Sequence, residues 1–205
     1  MRDLQSLLPR SILDKGGYCT PEKRALLHRM VKKYPVKCAV EIGVFRGSSF
    51  LCFAEVMEEQ SIPDSRLYGI DPWNAEKARN HIPDKAVAAH IEAILFSKPP
   101  EWDDMHTQLV AILESASITT PKCELIRSES TKVSHIHGVD MLHIDGNHDR
   151  ADEDLQHWLP RMSQNGIVIM DDCEWPSVKV AINTYLRPYA NFLEGTKVSS
   201  CWKLK

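Results

Sequence analysis

The feature that most constrains this chain is a short apolar run closed by a polar tip, repeated five times. The runs are VKCAVEIG at 36–43, RLYGID at 66–71, CELIRS at 123–128, VDMLHID at 139–145 and GIVIMDD at 166–172. Runs of this length and character suit strands buried on both faces better than helices. Segments of helical spacing stand between them. SFLCFAEVMEEQ follows Gly47 behind a pair of serines suited to capping, Pro63-Asp64 turns the chain into the second run, and ADEDLQHWLPRM and SVKVAINTYLRPY follow the fourth and fifth. Such alternation predicts a parallel sheet covered by helices on both faces, an α/β fold.

Upstream, Thr20-Pro21 opens EKRALLHRMVKKY, where Leu26, Leu27, Met30, Val31 and Tyr34 recur at helical spacing until Pro35 ends the helix. The tail NFLEGTKVSSCWKLK is β-prone, with no readable register. About fifty residues separate Asp71 from Cys123, where a plain crossover needs roughly a dozen or more. The excess reads as an insertion whose stretches NAEKARNHI, DKAVAAHIEAILF and EWDDMHTQLVAILESAS look helical, divided by Pro83 and Pro99-Pro100. The expectation is a single domain over 1–205, with an amino-terminal helical segment at 1–35 and a helical lid at 74–121.

Composition narrows the function classes. With 205 residues, 43% of them hydrophobic, the chain can bury a full core. Its 25 Lys and Arg against 28 Asp and Glu leave a net charge of −3, which disfavours a nucleic-acid grip. No run approaches the roughly 20 apolar residues of a membrane span, and MRDLQSLLPR places charges where a signal peptide is apolar. A soluble cytoplasmic protein is expected, with neither nucleic acid nor membrane as partner. Six cysteines at 19, 38, 52, 123, 173 and 201, without a C-x-x-C, read as small core thiols in a reducing compartment.

In a doubly wound sheet, ligands lie at the carboxyl ends of the strands. The polar tips there are Glu41-Ile-Gly43 running on to Gly47, Asp71-Pro-Trp73, Ser128-Glu-Ser130, Asp145-Gly-Asn-His148 and Asp171-Asp172. A dinucleotide turn wants G-x-G-x-x-G, whose second glycine lets the backbone approach a pyrophosphate. Here Val44, Phe45 and Arg46 separate Gly43 from Gly47, so that glycine is missing. The turn leaves room for a ligand without phosphates, beside a Glu41 that repels anions and suits a cation. Asp71 is placed to accept hydrogen bonds from a ribose diol, or to cap the segment after Pro72. The adjacent acids Asp171 and Asp172 repel each other unless a cation or a donor stands beside them.

Together, E-I-G-x-x-x-G (41–47), I-D-P-W (70–73), L-H-I-D-G-x-H (142–148) and the glycine-led strand ending in Asp171-Asp172 resemble the class I S-adenosylmethionine-dependent methyltransferases over about residues 37–186. The last two motifs resemble the metal-dependent O-methyltransferases of the macrolide-sugar and catechol types. The resemblance implies a Rossmann-like, doubly wound, mostly parallel seven-stranded sheet. It implies S-adenosylmethionine bound by Glu41, Gly43, Gly47, Asp71, Trp73, Ser128 and Asp145, with Ser130 near the adenine. It implies Mg²⁺, with Mn²⁺ or Ca²⁺ as alternatives, on Asp145, Asp171 and Asp172. His148, where the catechol type has a lysine, is implied as the base. The implied acceptor is a small hydroxylated molecule, a sugar diol or a catechol-like ring, and relatives of this kind often form homo-oligomers. The chemistry is coherent. Neighbouring strands lie about 4.8 Å apart, three hard oxygen donors suit such ions, a metal lowers the pKa of a bound hydroxyl, and an imidazole of pKa about 6.5 takes its proton near neutral pH.

Plainer roles stand beside these. Trp73 also suits packing, Ser128 and Ser130 suit helix capping, His148 suits a cap or a solvated position, and His143 reads as a core histidine. His135, His137 and His143 form a weak zinc alternative. Gly146-Asn-His-Asp149 with Asp104-Met-His106 resembles part of a metallophosphoesterase, without the G-D-x-x-D and G-H-x-H elements. A module that binds cofactor without turnover is the non-enzymatic alternative. Trp73, Phe96, Trp102 and Met105, with Trp175, are the aromatic and apolar candidates for holding the acceptor.

Overall fold

The computed structural model describes residues 4–8, 19–79, 88, 89, 92 and 101–205. Its strands are β1 Cys38–Ile42, β2 Arg66–Asp71, β3 Lys122–Arg127, β4 Val139–Ile144, β5 Met162–Met170, β6 Ala190–Gly195 and β7 Ser200–Leu204. They form one sheet in the order β3-β2-β1-β4-β5-β7-β6. The first five are parallel, and β7 returns antiparallel on β5 with β6 outside it. The tail is therefore a β-hairpin whose register is fixed by Ile167 facing Lys203 and Met170 facing Ser200. The order reverses direction at β1 and β4, which marks the switch point where ligands bind.

Alternation along each strand divides the core in two. Ala39, Leu67, Met141, Ile167 and Ile169 face helices α1 Pro21–Lys33, α2 Ser48–Gln60 and α3 Glu101–Ala116. Val40, Ile42, Leu142, Ile144, Val168 and Met170 face α4 Ala151–Trp158 and α5 Pro176–Ala181 on the other side. This period of two is what a strand covered on both faces requires. Helix α1 starts as its sequence dictates, with Pro21 in the first turn and the Thr20 hydroxyl accepting from the Lys23 N–H at 3.2 Å. Its stripe of Leu26, Leu27, Met30 and Val31 is buried.

The predicted insertion is smaller than its sequence suggests. α3 does the work of the crossover between β2 and β3, and its Trp102, Met105 and Leu109 belong to the core. A Cβ on Gly47 would meet the Leu109 side chain at 2.5 Å, so this glycine lets α3 close over the first turn. Of NAEKARNHI, one helical turn, Ala75–Ala78, is described. DKAVAAHIEAILF, with Phe96, lies almost wholly outside the described residues, and with it the lid reading of that stretch. All six cysteines are free thiols, with Cys19, Cys52 and Cys201 buried. Among the described residues, no helix is long and apolar enough to cross a membrane.

Candidate active site

The ends of β1, β4 and β5 are held level by the sheet itself. The Asp145 N–H donates to the Ile42 carbonyl at 2.9 Å, and the Asp171 N–H to that of Ile144 at 3.0 Å. Gly43, at φ +84°, lies so close to the β4 end that a Cβ would stand 2.2 Å from the Asp145 carbonyl oxygen. Only glycine meets both demands, a left-handed backbone and no side chain. Above these ends opens a cavity of about 590 Å³, lined among others by Gly43, Asp71, Ser130, Asp145, His148 and Asp171.

Two of the three predicted metal ligands meet on a cation that the chain supplies. The Lys23 ammonium lies 2.5 Å from Asp145 Oδ2 and 2.5 Å from Asp171 Oδ2, and the Ser199 hydroxyl donates to the other oxygen of Asp171. Asp172 takes a left-handed backbone, φ +48°. Its carboxylate meets His148 Nε2 at 2.8 Å, while the imidazole stacks on Trp175 with centroids 4.5 Å apart. The repulsion expected between adjacent acids is thus relieved by giving each its own partner. Oxygens of Asp145, Asp171 and Asp172 all lie within 4.8 Å of one another, so the hard-donor set fits a divalent cation.

Burial and charge pull the two acids apart. Burial pushes the Asp145 carboxyl up to about 7, against the pull of Lys23. Burial also opposes the Asp171 charge, but Lys23, His143 and the Ser199 hydroxyl outweigh it and hold that group at about 2. Lys23 loses solvation by burial, yet its two acidic partners raise its pKa above the ordinary value. It is a fixed positive charge.

The cavity wall carries further polar groups. Glu129 accepts from Lys132 and from Arg150 Nη1, which hold its carboxyl down at about 2. Asp154 accepts a hydrogen bond from the Ser130 hydroxyl, and burial pushes its carboxyl up to about 6. Asn147 Nδ2 donates to the carbonyls of Lys77 at 3.0 Å and Arg79 at 2.9 Å, tying the turn after β2 to the loop after β4.

Of the predicted cofactor residues, Gly43, Asp71 and Asp145 line the cavity. Asp71 accepts from the Phe45 N–H at 2.8 Å and the Trp73 N–H at 2.6 Å, one on each carboxylate oxygen, while burial raises its pKa against those bonds. Glu41, Gly47, Trp73 and Ser128 lie off the cavity wall. Glu41 is fully buried on the α2 side, where it accepts from the Ser49 hydroxyl and faces His143 Nδ1 at 3.5 Å. The period of two turns it away from the strand tip. Trp73 packs edge-on against His106 and donates from its indole to the Phe45 carbonyl at 2.8 Å, so packing is its place. Gly47 serves the packing of α3, and the Ser128 hydroxyl bonds the neighbouring Glu129 carbonyl.

Trp102 reaches the cavity, whereas Met105 stays in the core. His143 is the core histidine expected. Among the described residues, the groups able to gather on a metal are Glu41, His143 and Asp145, and Asp145, Asp171 and Asp172, so the zinc alternative finds no cluster with His135 and His137. Asp104 is exposed on α3 and takes no part in the site.

Lys23, Glu129 and Asp154 were not among the predicted site residues. For Lys23 the signal is present: it precedes Leu26, Leu27, Met30 and Val31 by three, four, seven and eight residues, so a lysine occupies the apolar stripe. Glu129 lies between the two serines already noted, and Asp154 looks like one more acid of a favourable first helical turn.

An open, doubly wound sheet with antiparallel β7, and a cleft at the β1–β4 switch point, defines the Rossmann-like methyltransferase class of α/β proteins. The methyltransferase-domain family matches residues 40–173, well over half of the chain; the protein belongs to that family. No curated protein matches by sequence. Among solved structures, the O-methyltransferase TomG of Streptomyces achromogenes, determined with S-adenosylmethionine, is 14% identical with a TM-score of 0.65 over 100% of this chain and 91% of its own. A methyltransferase from Geobacter sulfurreducens is 11% identical, TM-score 0.66, over 100% and 89%. The methyltransferase PaMTH1 of Podospora anserina, bound to S-adenosylhomocysteine, is 12% identical, TM-score 0.63, over 100% and 89%. At these identities the likeness is one of fold.

Proposed function

We propose that the chain transfers the methyl group of S-adenosylmethionine to a hydroxyl of a small acceptor, a sugar diol or a catechol-like ring, with a divalent metal on Asp145, Asp171 and Asp172. The observation that carries this reading is the meeting of those carboxylates with the Asp172–His148 pair on the cavity wall. Bound S-adenosylmethionine supplies a sulfonium methyl open to in-line attack, and a bound metal supplies a Lewis acid that lowers the pKa of an acceptor hydroxyl.

The chain's own residues do the rest. Asp172 orients the imidazole through Nε2. Nδ1 is buried and has no protein partner, so Nε2, beside Asp172 in the site, is the nitrogen through which the ring takes the acceptor proton. Trp175 fixes the ring plane from the other side. The acceptor oxygen forms its bond to the methyl carbon, the S–CH₃ electron pair returns to sulfur, and S-adenosylhomocysteine leaves. The polar groups around Glu129, Ser130 and Asp154 suit the adenosine end, since amide, amine and hydroxyl groups there find acceptors and donors.

The test is methyl transfer from labelled S-adenosylmethionine to a panel of sugars and catechols. His148→Ala is expected to lower turnover about 10²- to 10⁴-fold, with S-adenosylmethionine binding unchanged by calorimetry. Turnover at the wild-type rate in His148→Ala removes the base assignment, and absence of S-adenosylmethionine binding removes the whole reading.

A further inference from the structure

The seat proposed for the metal already holds a positive charge. Lys23 Nζ contacts one oxygen of each of Asp145 and Asp171, and its side chain is only 7% exposed. A divalent ion drawing on the same two oxygens cannot share that ground, because the two cations would repel across a poorly solvated gap. The backbone of α1 is pinned by its buried leucines and its Thr20 cap. The lysine stem is the movable part, and the cavity that Lys23 already lines offers the ammonium somewhere to go.

We propose that Lys23 is an internal competitor for the metal seat: it holds Asp145 and Asp171 together in the metal-free protein, and a divalent ion binds by displacing it into the cavity. This inference rests on the metal seat proposed above. Its thermodynamic consequence is that the apparent metal affinity equals the intrinsic affinity reduced by the fraction of molecules in which the lysine has swung out. Its structural consequence is that two acids, Asp171 buried and Asp145 partly so, are kept at a spacing near that needed for coordination before any ion arrives.

Mn²⁺ binding is measured by calorimetry on the full chain and on Lys23→Met, which keeps the length and the apolar stem. The variant is expected to bind Mn²⁺ at least about tenfold more tightly. Because the variant leaves two facing carboxylates without a cation, a second readout uses the wild-type chain. Amine acetylation followed by mass spectrometry is expected to label Lys23 several-fold faster in saturating Mn²⁺, with the exposed Lys32 and Lys33 unchanged. Equal affinity in wild type and variant, or Lys23 protection unaltered by bound Mn²⁺, overturns the inference and leaves the methyltransferase reading standing. No Mn²⁺ binding to either protein overturns both the inference and the metal seat, and S-adenosylmethionine binding in the same samples shows whether the transferase reading survives.

Discussion

At the scale of single residues, this site is organised by the partner given to each acid rather than by the acids alone. Burial raises both Asp145 and Asp171, which lie equally close to one ammonium; they differ in titration because the Asp171 charge raises Asp145 while the Ser199 hydroxyl lowers Asp171, and Asp172 turns instead to His148. Asp154 is the separable case, since it stands away from Lys23 and burial raises its pKa to about 6. An unfolded aspartate titrates near 3.9. The folded state therefore binds the proton more tightly, and the stability this gives is fully present below about pH 4 and lost as pH rises through about 6. Asp154→Asn is expected to remove roughly 2–3 kcal/mol of that fall between pH 4 and 7, read as the difference between wild-type and variant urea-unfolding profiles. Equal slopes in the two profiles reject the assignment. What sequence could and could not show follows the same logic. Asp171 and Asp172 were legible as adjacent acids in need of partners, whereas Glu41 looked like a cleft residue only until the strand's period of two placed it on the buried side with Ser49 and His143.

At the scale of elements, α1 is the link between core and chemistry, because the stripe that seats the helix also aims Lys23. The sequence showed the helix, its Thr20-Pro21 start and its apolar face, yet not what the face packs on. That required the contact between α1 and α2, which is set by tertiary packing. Leu27 is fully buried in the core on this side of the sheet. Leu27→Ala is expected to cost about 2–5 kcal/mol through lost burial and the cavity left behind, measured as a lowered urea midpoint. A change below about 0.5 kcal/mol means that the helix is not docked as described. The predicted lid shows the opposite limit. Spacing recognised EWDDMHTQLVAILESAS as a helix but assigned it to an insertion, since nothing local distinguishes a lid from the crossover that a parallel pair requires. Gly47 carried the missing information, as its absent Cβ is the space that Leu109 fills.

At the scale of the whole molecule, the alternation of strands and helices was enough to give the parallel sheet and the end at which ligands bind. The β-hairpin at the edge is not legible in the sequence because the pairing of β6 with β7 is irregular, with a register shift between Phe192 and Glu194 that breaks the alternation. The choice of ligand for the resulting cleft is a question of charge and shape together. Acidic side chains outnumber basic ones on its wall, Asp71 is buried at the tip of β2, and Phe45 and Arg46 fill the turn where a pyrophosphate would need bare backbone. A sulfonium cation is favoured there, and a dinucleotide carrying two phosphates is opposed. A ligand at about a hundred times its dissociation constant stabilises a folded protein by about 2.7 kcal/mol, and a chain of this size gains about 2–4 °C in melting temperature per kcal/mol. S-adenosylmethionine at that excess is therefore expected to raise the melting temperature by about 5–11 °C, and NAD⁺ at equal concentration to leave it within about 1 °C. A comparable rise with NAD⁺ would mean that the turn after β1 accepts phosphate after all, and that the charge argument is wrong.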